Sequence, residues 1–336
     1  MLRNRKKVRL FCFYAISLML LPLMNSLNVK AQSDLLSSQY MNSQLLINPA
    51  YAGVRNSFSV NLLSRQQWMG INDAPTTYAI SLHSPLNKRM ASLGTSLLHY
   101  QSGPVQHSEL TAVYSYLIRL SHNMFLSMGL SAQVNHYNIG LNALDVIEDN
   151  DPSFAANFDN GIKPNFGVGT FLYTPKFFLG ISVPKVLSSQ LKGEEGNIMA
   201  IEESQSAYIT TGYAIDVNKS LVVKPSFLGR LRLEESHLFD INLQLMYKKV
   251  FWVGGSYRTN NTMAALLNIQ ATKTLGVCYS YDFSIGNSYN FGVGSHEISL
   301  IIDSHRLIKR NRDRRFNRKK VSSEDEDKGV ESIRYF

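Results

Sequence analysis

From residue 57 to residue 302, hydrophobic and polar positions alternate with a period of two. In 240–247, Ile241, Leu243, Leu245 and Tyr247 fall on one face, and Asn242, Gln244 and Met246 on the other. Leu275, Val277, Tyr279, Tyr281 and Phe283 alternate with Thr274, Gly276, Cys278, Ser280 and Asp282. Met124, Leu126, Met128, Leu130, Ala132 and Val134 alternate with Phe125, Ser127, Gly129, Ser131, Gln133 and Asn135. Strict alternation predicts strands with one apolar and one polar face.

The pattern places strands at 57–67, 76–85, 91–101, 107–119, 123–137, 163–174, 176–184, 206–217, 220–232, 237–248, 250–259, 262–270, 273–284 and 294–302. Most run 9–13 residues, longer than an ordinary strand and suited to a tilted membrane crossing. The count is fourteen, an even number, as in bacterial outer-membrane barrels. A water-soluble β-protein also alternates, but it does not usually repeat strands of this length with aromatics at their ends. The predicted fold is therefore all-β: a transmembrane outer-membrane β-barrel of about 14 antiparallel strands.

The connections carry a second pattern. Every second one is short: 86–90, 121–122, 175, 218–219, 248–249 and 271–272. The others include two long ones, 138–162 and 185–205. Short turns in the periplasm and long loops outside are the outer-membrane arrangement. Lys88, Arg89, Lys176, Lys219, Lys248, Lys249 and Lys273 fall at or beside the short turns. They are either ordinary strand-ending lysines or a basic rim facing an acidic partner. Arg65, Arg119, Lys224, Arg230, Arg232, Asp282 and Glu297 fall on the lumen face, where charges pair with one another or line water.

The ends of the chain differ from the middle. Residues 1–9 carry Arg3, Arg5, Lys6, Lys7 and Arg9 with no acid. Leu10–Met24 is apolar, and Val29-Lys30-Ala31 offers small residues to a signal peptidase. This reads as a signal peptide over 1–31, with the mature chain starting at Gln32. An uncleaved anchor is the alternative, but Pro22 and Asn25 interrupt the run short of a span. Cys12 lies mid-run with no small residue before it, which does not fit a lipoprotein. No later stretch is apolar for 18 residues. Cys278 is the one cysteine of the mature chain, so it has no disulfide partner there.

The formal charge of +9 is an end effect. The leader through Lys30 contributes +6 and residues 303–336 contribute +4, which leaves −1 on residues 31–302. The basic excess is no argument for nucleic acid. The segment 303–336 holds a basic run with Arg312, Arg314, Arg315 and Lys319, followed by Glu324-Asp325-Glu326-Asp327. It reads as a charged, disordered periplasmic tail: either a solvated one, or an arm that grips an anionic partner.

Nothing nominates an enzyme, a metal or a cofactor. The eight histidines are scattered without ligand spacing, and no Gly-x-Ser-x-Gly elbow occurs. Asn165-Phe-Gly-Val-Gly169 recurs as Asn290-Phe-Gly-Val-Gly294 without the third glycine of a dinucleotide loop. Small residues at a strand start explain it better.

Three motifs bracket the predicted barrel. The first is Gln39-Tyr40 followed by Leu45-Leu46-Ile47-Asn48-Pro49-Ala50-Tyr51-Ala52-Gly53. The second is Arg65-Gln66-Gln67-Trp68-Met69-Gly70, with Ala74-Pro75-Thr76-Thr77 and Ser81-Leu82-His83-Ser84-Pro85-Leu86. The third is Tyr281-Asp282-Phe283-Ser284 with Gly294-Ser295-His296-Glu297-Ile298-Ser299-Leu300. In this order and spacing the chain, over about 34–302, resembles the PorP/SprF family of outer-membrane proteins of the type IX secretion and gliding machinery of Bacteroidota.

The resemblance implies a non-enzymatic role in exporting or anchoring a surface adhesin with a type IX C-terminal signal. It also implies contact with periplasmic subunits of the machine. Relatives of this kind often stop soon after the Ile-Ser-Leu strand, whereas this chain continues to Phe336. The polar lumen motivates a different reading, a passive diffusion porin. The first motif falls in residues 32–56, on the periplasmic side ahead of the first strand. It is expected either to fold into the barrel mouth as a plug, turning at Asn48-Pro49, or to cap the periplasmic rim.

Overall fold

The computed structural model describes residues 37–86, 90–140, 158–192, 198–203, 205–232, 236–285 and 294–304. The expected leader, Lys88, Arg89 and the tail residues Arg312, Arg314, Arg315 and Lys319 lie outside them.

The strands are β1 (Phe58–Gln66), β2 (Thr76–Pro85), β3 (Ala91–Ser102), β4 (Val105–Arg119), β5 (Phe125–Ile139), β6 (Phe158–Tyr173) and β7 (Phe177–Val183). Then follow β8 (Ser189–Lys192), β9 (Ile198–Glu203), β10 (Ser206–Tyr213), β11 (Ile215–Asp216), β12 (Leu221–Arg232), β13 (Leu238–Tyr247), β14 (Phe251–Arg258), β15 (Thr262–Gln270), β16 (Leu275–Ser284) and β17 (Ser295–Ser304). The strands β8 and β9 pair only with each other, a hairpin inside the long 185–205 connection that alternation does not reveal. The other fifteen form one antiparallel sheet. With β10 and β11 sharing one stave, the wall has fourteen staves, as the pattern predicts.

The wall closes into one ring. The first strand pairs with the last along its whole length, from Phe58 opposite Ser304 to Gln66 opposite His296. The strand β10 pairs with β7 on one side and β12 on the other. Closure leaves no sheet edge, which a bilayer demands because lipid offers backbone groups no partner.

One stave is interrupted. The ladder from β12 runs to β10 as far as Ser226–Gly212 and resumes to β11 at Val223–Ile215. Lys224 and Pro225 fall in the gap. Proline has no N–H to give a ladder, and Pro225 lies mid-strand in a closed wall where no free edge exists to accommodate it.

The faces are those of a protein turned inside out. Tyr78, Ile80, Leu97, Leu130, Leu243 and Ile298 are exposed on the outer face. Ser81, Thr111, Ser127, Asn135, Asn242 and Ser280 are buried on the inner one. One end carries the short turns and the other the long loops, so the turn end faces the periplasm.

Candidate functional site: the occupied lumen

Residues 37–57 lie inside the wall and cover its polar face. A chain of short turns folds them compactly, with 3-10 turns at Gln44–Leu46 and Pro49–Tyr51. Seven of these residues, Tyr40, Met41, Leu45, Ala50, Tyr51, Ala52 and Val54, share one apolar cluster with Val113, Leu117, Phe171, Tyr173, Phe178 and Leu228 of the wall. Each fully buried large side chain is worth about 1.5–3 kcal/mol. The barrel's main apolar core is therefore built between this segment and the wall, not within the wall.

The middle of the segment fits a cradle of glycines. The side chain of Asn48 accepts from the Ala50 amide at 2.9 Å and donates to the Thr170 carbonyl at 2.9 Å. Pro49 stands in the first turn of the 3-10 helix, where a missing N–H costs nothing. Gly129 and Gly169 are cross-strand neighbours on β5 and β6. A Cβ on Gly129 would stand 2.2 Å from the Ala50 nitrogen, and one on Gly169 would stand 2.2 Å from the Asn48 side-chain oxygen. Only a wall without side chains at these two points lets the Asn-Pro-Ala turn approach. A Cβ on Gly180 of β7 would meet Thr210 Oγ1 first, at 2.6 Å, and the Asn48 side-chain nitrogen at 3.1 Å.

The end next to β1 is fixed at the turn end of the barrel. Gly53 has φ of 77° and gives its N–H to His83 Nδ1 at 3.2 Å. Any Cβ there would meet Ser92, so both backbone and space require glycine. Tyr51 packs edge-on against His83 and Phe171, and its hydroxyl accepts from Arg55 Nε at 3.1 Å. Arg55 also pairs with Asp303 at 2.8 Å. Burial alone would lower the Arg55 pKa, but Tyr51 and Asp303 outweigh it and hold the guanidinium charged.

The other end is held near the loop end by charge. Arg65 lies between two carboxylates, Asp282 and Glu297, each at 2.8 Å. Glu297 accepts from the backbone N–H of Ser38 and of Gln39, both at 3.2 Å, and from the Ser37 hydroxyl. Asp282 accepts from the Ser38 hydroxyl, which also accepts from Arg258 at 3.1 Å. Arg258 in turn pairs with Asp240 at 3.1 Å. The Gln39 amide donates to the Glu297 carbonyl at 3.0 Å. Tyr40 reaches Ser226 with its hydroxyl, and burial followed by the nearby Asp240 charge pushes its phenol pKa up, so it stays protonated.

The segment thus spans most of the depth of the barrel. Gly53 and Arg55 sit at the turn end, while Ser37–Gln39 are level with Asp282 and Glu297, each two positions inside the loop-end limit of its strand, β16 and β17. The sequence reading puts it at the periplasmic mouth; the contacts carry it much further up. A narrow space lined by Asn42, Leu45, Tyr51, Arg55, Asn61 and His83 remains beside it.

Of the motif residues, Gln39, Tyr40, Asn48, Pro49, Ala50, Tyr51, Gly53, Arg65 and Glu297 come together in the lumen. Trp68, Gly70 and Pro75 do not. They belong to the connection 67–75, in which residues 68–73 are exposed and Pro75 is buried; Trp68 there has φ of 45° and Gly70 103°. Met69 there donates its N–H to the Gly294 carbonyl at 3.2 Å, and Gln67 to the Pro75 carbonyl at 2.9 Å. Thr76 begins β2. His296 faces outward, its Nδ1 2.7 Å from the Tyr279 hydroxyl. Sequence reasoning missed Gly129, Gly180, Asp240 and Arg258 as partners of the segment. It noticed Gly169 only as a small residue near a strand start. Among the described residues no group of three or more His, Cys, Asp or Glu is placed to hold a metal, and no helix is long and apolar enough to cross a membrane.

A closed antiparallel barrel with an apolar outer face, a polar inner one and short turns at one end is an integral outer-membrane β-barrel. Within that class, the chain belongs to the family described as type IX secretion system membrane protein PorP/SprF, whose pattern matches residues 29–302. Solved barrels similar to this chain include a Pseudomonas aeruginosa FadL homologue, at 14% identity and a TM-score of 0.45 over 77% of this chain and 93% of that one. The Acinetobacter baumannii outer membrane protein Omp33 is similar at 8% identity and a TM-score of 0.44, over 74% and 98%. The Pseudomonas putida toluene transporter TodX is similar at 11% and 0.44, over 79% and 94%. Among curated proteins no relative matches the chain.

Proposed function

We propose that this barrel is a non-enzymatic component of type IX secretion whose lumen is plugged by its own N-terminal segment. It exports or anchors a surface adhesin bearing a type IX C-terminal signal, and its periplasmic end meets periplasmic subunits of the machine. Where the cell glides, the same adhesin serves gliding. Family membership supports the secretion role.

The observation that favours a plugged component over a porin is the fit of Asn48-Pro49-Ala50 against Gly129 and Gly169. A segment lying loosely in an aqueous channel needs no such cradle. Deletion of the gene tests the role: an adhesin lost from the surface or shed into the medium is expected, and normal display of every such adhesin overturns it. Planar bilayers test the plug. Purified barrel is expected to be electrically silent, whereas steady open conductance supports the diffusion-porin reading instead.

A further inference from the structure

Three consecutive turns of the turn end carry lysine and no acid. They are 217–220, 248–250 and 271–274, joining β11 to β12, β13 to β14 and β15 to β16. Lys219, Lys248 and Lys273 are exposed there. The acids close by are already matched: Asp216 pairs with Lys176 at 2.8 Å, and Asp303 with Arg55. Neighbouring turns stand two strands apart, about 10 Å.

The lysines border the lipid-facing wall. Tyr247 is on the outer face and half exposed, and Lys248 Nζ lies 5.3 Å from its ring centroid. Tyr213, Ile215, Val217 and Phe251 are exposed at the same end of the same staves. This is an aromatic and aliphatic border with cations just beyond it, where a lysine stem lies on apolar surface and its head reaches the headgroups. The hairpin turn itself is unusual. Lys248 and Lys249 have φ of 49° and 59°, in a two-residue turn closed by a Val250 N–H to Tyr247 carbonyl bond of 3.1 Å. Asn-Gly is the residue pair such a turn prefers. Lysine in both positions gives up local stability to place two cations at this border.

We infer that the Lys219–Lys248–Lys273 side of the rim binds the phosphate groups of anionic phospholipid in the periplasmic leaflet. The sequence leaves these lysines either as ordinary strand ends or as a rim facing an acidic partner, such as a periplasmic protein. Position favours lipid over a protein: Lys248 stands over an outward aromatic ring, beside the lipid rather than beneath the mouth of the barrel. Charge complementarity and continuity with the lipid-facing wall both point to the bilayer.

The test uses the full mature chain in mild detergent, titrated with phosphatidylglycerol and with phosphatidylethanolamine, with bound lipid counted by native mass spectrometry. Wild type is expected to retain phosphatidylglycerol preferentially, and less of it as salt rises. The K219Q/K248Q/K273Q variant is expected to lose that affinity by on the order of tenfold or more, with phosphatidylethanolamine unchanged. A second variant, K248N/K249G, removes charge while supplying the preferred turn residues. It should therefore stay folded, by heat-modified gel migration, and still retain less phosphatidylglycerol. Equal retention of the two lipids by wild type, or equal phosphatidylglycerol retention by wild type and K219Q/K248Q/K273Q, overturns the inference. So does loss of the lipid only in R312Q/R314Q/R315Q, which assigns it to the tail, or capture of an acidic periplasmic protein by these lysines without lipid preference.

Discussion

Gly129 on β5 and Ala50 in the N-terminal segment meet so closely that a Cβ on Gly129 would stand 2.2 Å from the Ala50 nitrogen and 2.5 Å from its Cα. The atoms in the way are backbone, which cannot rotate aside as a side chain does. A methyl group at position 129 must displace the Asn48-Pro49-Ala50 turn. We expect Gly129→Ala to cost about 1–3 kcal/mol and to convert an electrically silent barrel into a conducting one. Gly140 has open space around it and an unstrained backbone, so Gly140→Ala should leave both properties unchanged. Wild-type stability and silence in Gly129→Ala would sink the plug.

Arg65 is the only cation bonded to both Asp282 and Glu297 among the ion pairs of the described residues, and all three side chains are nearly inaccessible. Removing it by Arg65→Met leaves two buried carboxylates without their countercharge. The expected loss is roughly 3–5 kcal/mol, read from urea unfolding of the reconstituted barrel. Arg65→Met/Asp282→Asn/Glu297→Gln removes the charges together and should recover much of it. A triple variant as unstable as the single one contradicts the assignment.

Ala50 is fully buried, and the native thiol Cys278 is buried on the inner face. In a Cys278→Ala background, Ala50→Cys should resist a membrane-impermeant thiol reagent applied from either side, while Trp68→Cys, 44% exposed in the native residue, should react. Rapid labelling of Ala50→Cys from the periplasm is the outcome that rejects an occupied lumen.

Pro225 leaves the β12 ladder one donor short at the break between β10 and β11. Pro225→Val supplies that N–H on a face where an apolar side chain is already accommodated. A gain of about 0.5–1.5 kcal/mol is expected, measured as a higher temperature of heat-modified gel migration. A loss would mean that the break is needed for the fit of this stave.

The wall was legible in the sequence because each strand carries its own record. A residue's face is fixed by its parity, and parity survives without knowing any partner. The fourteen staves follow, with boundaries within a few residues. The interruption at Ala214 was not legible, because Pro225 acts across the ladder on a neighbouring strand. The hairpin at Ser189–Glu203 escaped for another reason: pairing with neither neighbouring stave, it lies outside the repeat that reveals the wall.

The site was half legible. Gln39, Asn48, Pro49, Gly53, Arg65 and Glu297 stand out as motif residues, and the order of the motifs identifies the family. Their partners do not stand out. Gly129 lies 79 positions from Ala50, and Asp240 lies 18 from Arg258 and 202 from Ser38. A glycine that makes room for a distant turn has no local signature to separate it from one that eases a strand. The sequence by itself determined the alternation, the strand count, the direction of the turns and the family. Only the tertiary structure decided that the segment before the first strand runs up the lumen, seated on glycines at one point and tied to buried charges at another. Those contacts join residues brought near one another only when the barrel closes.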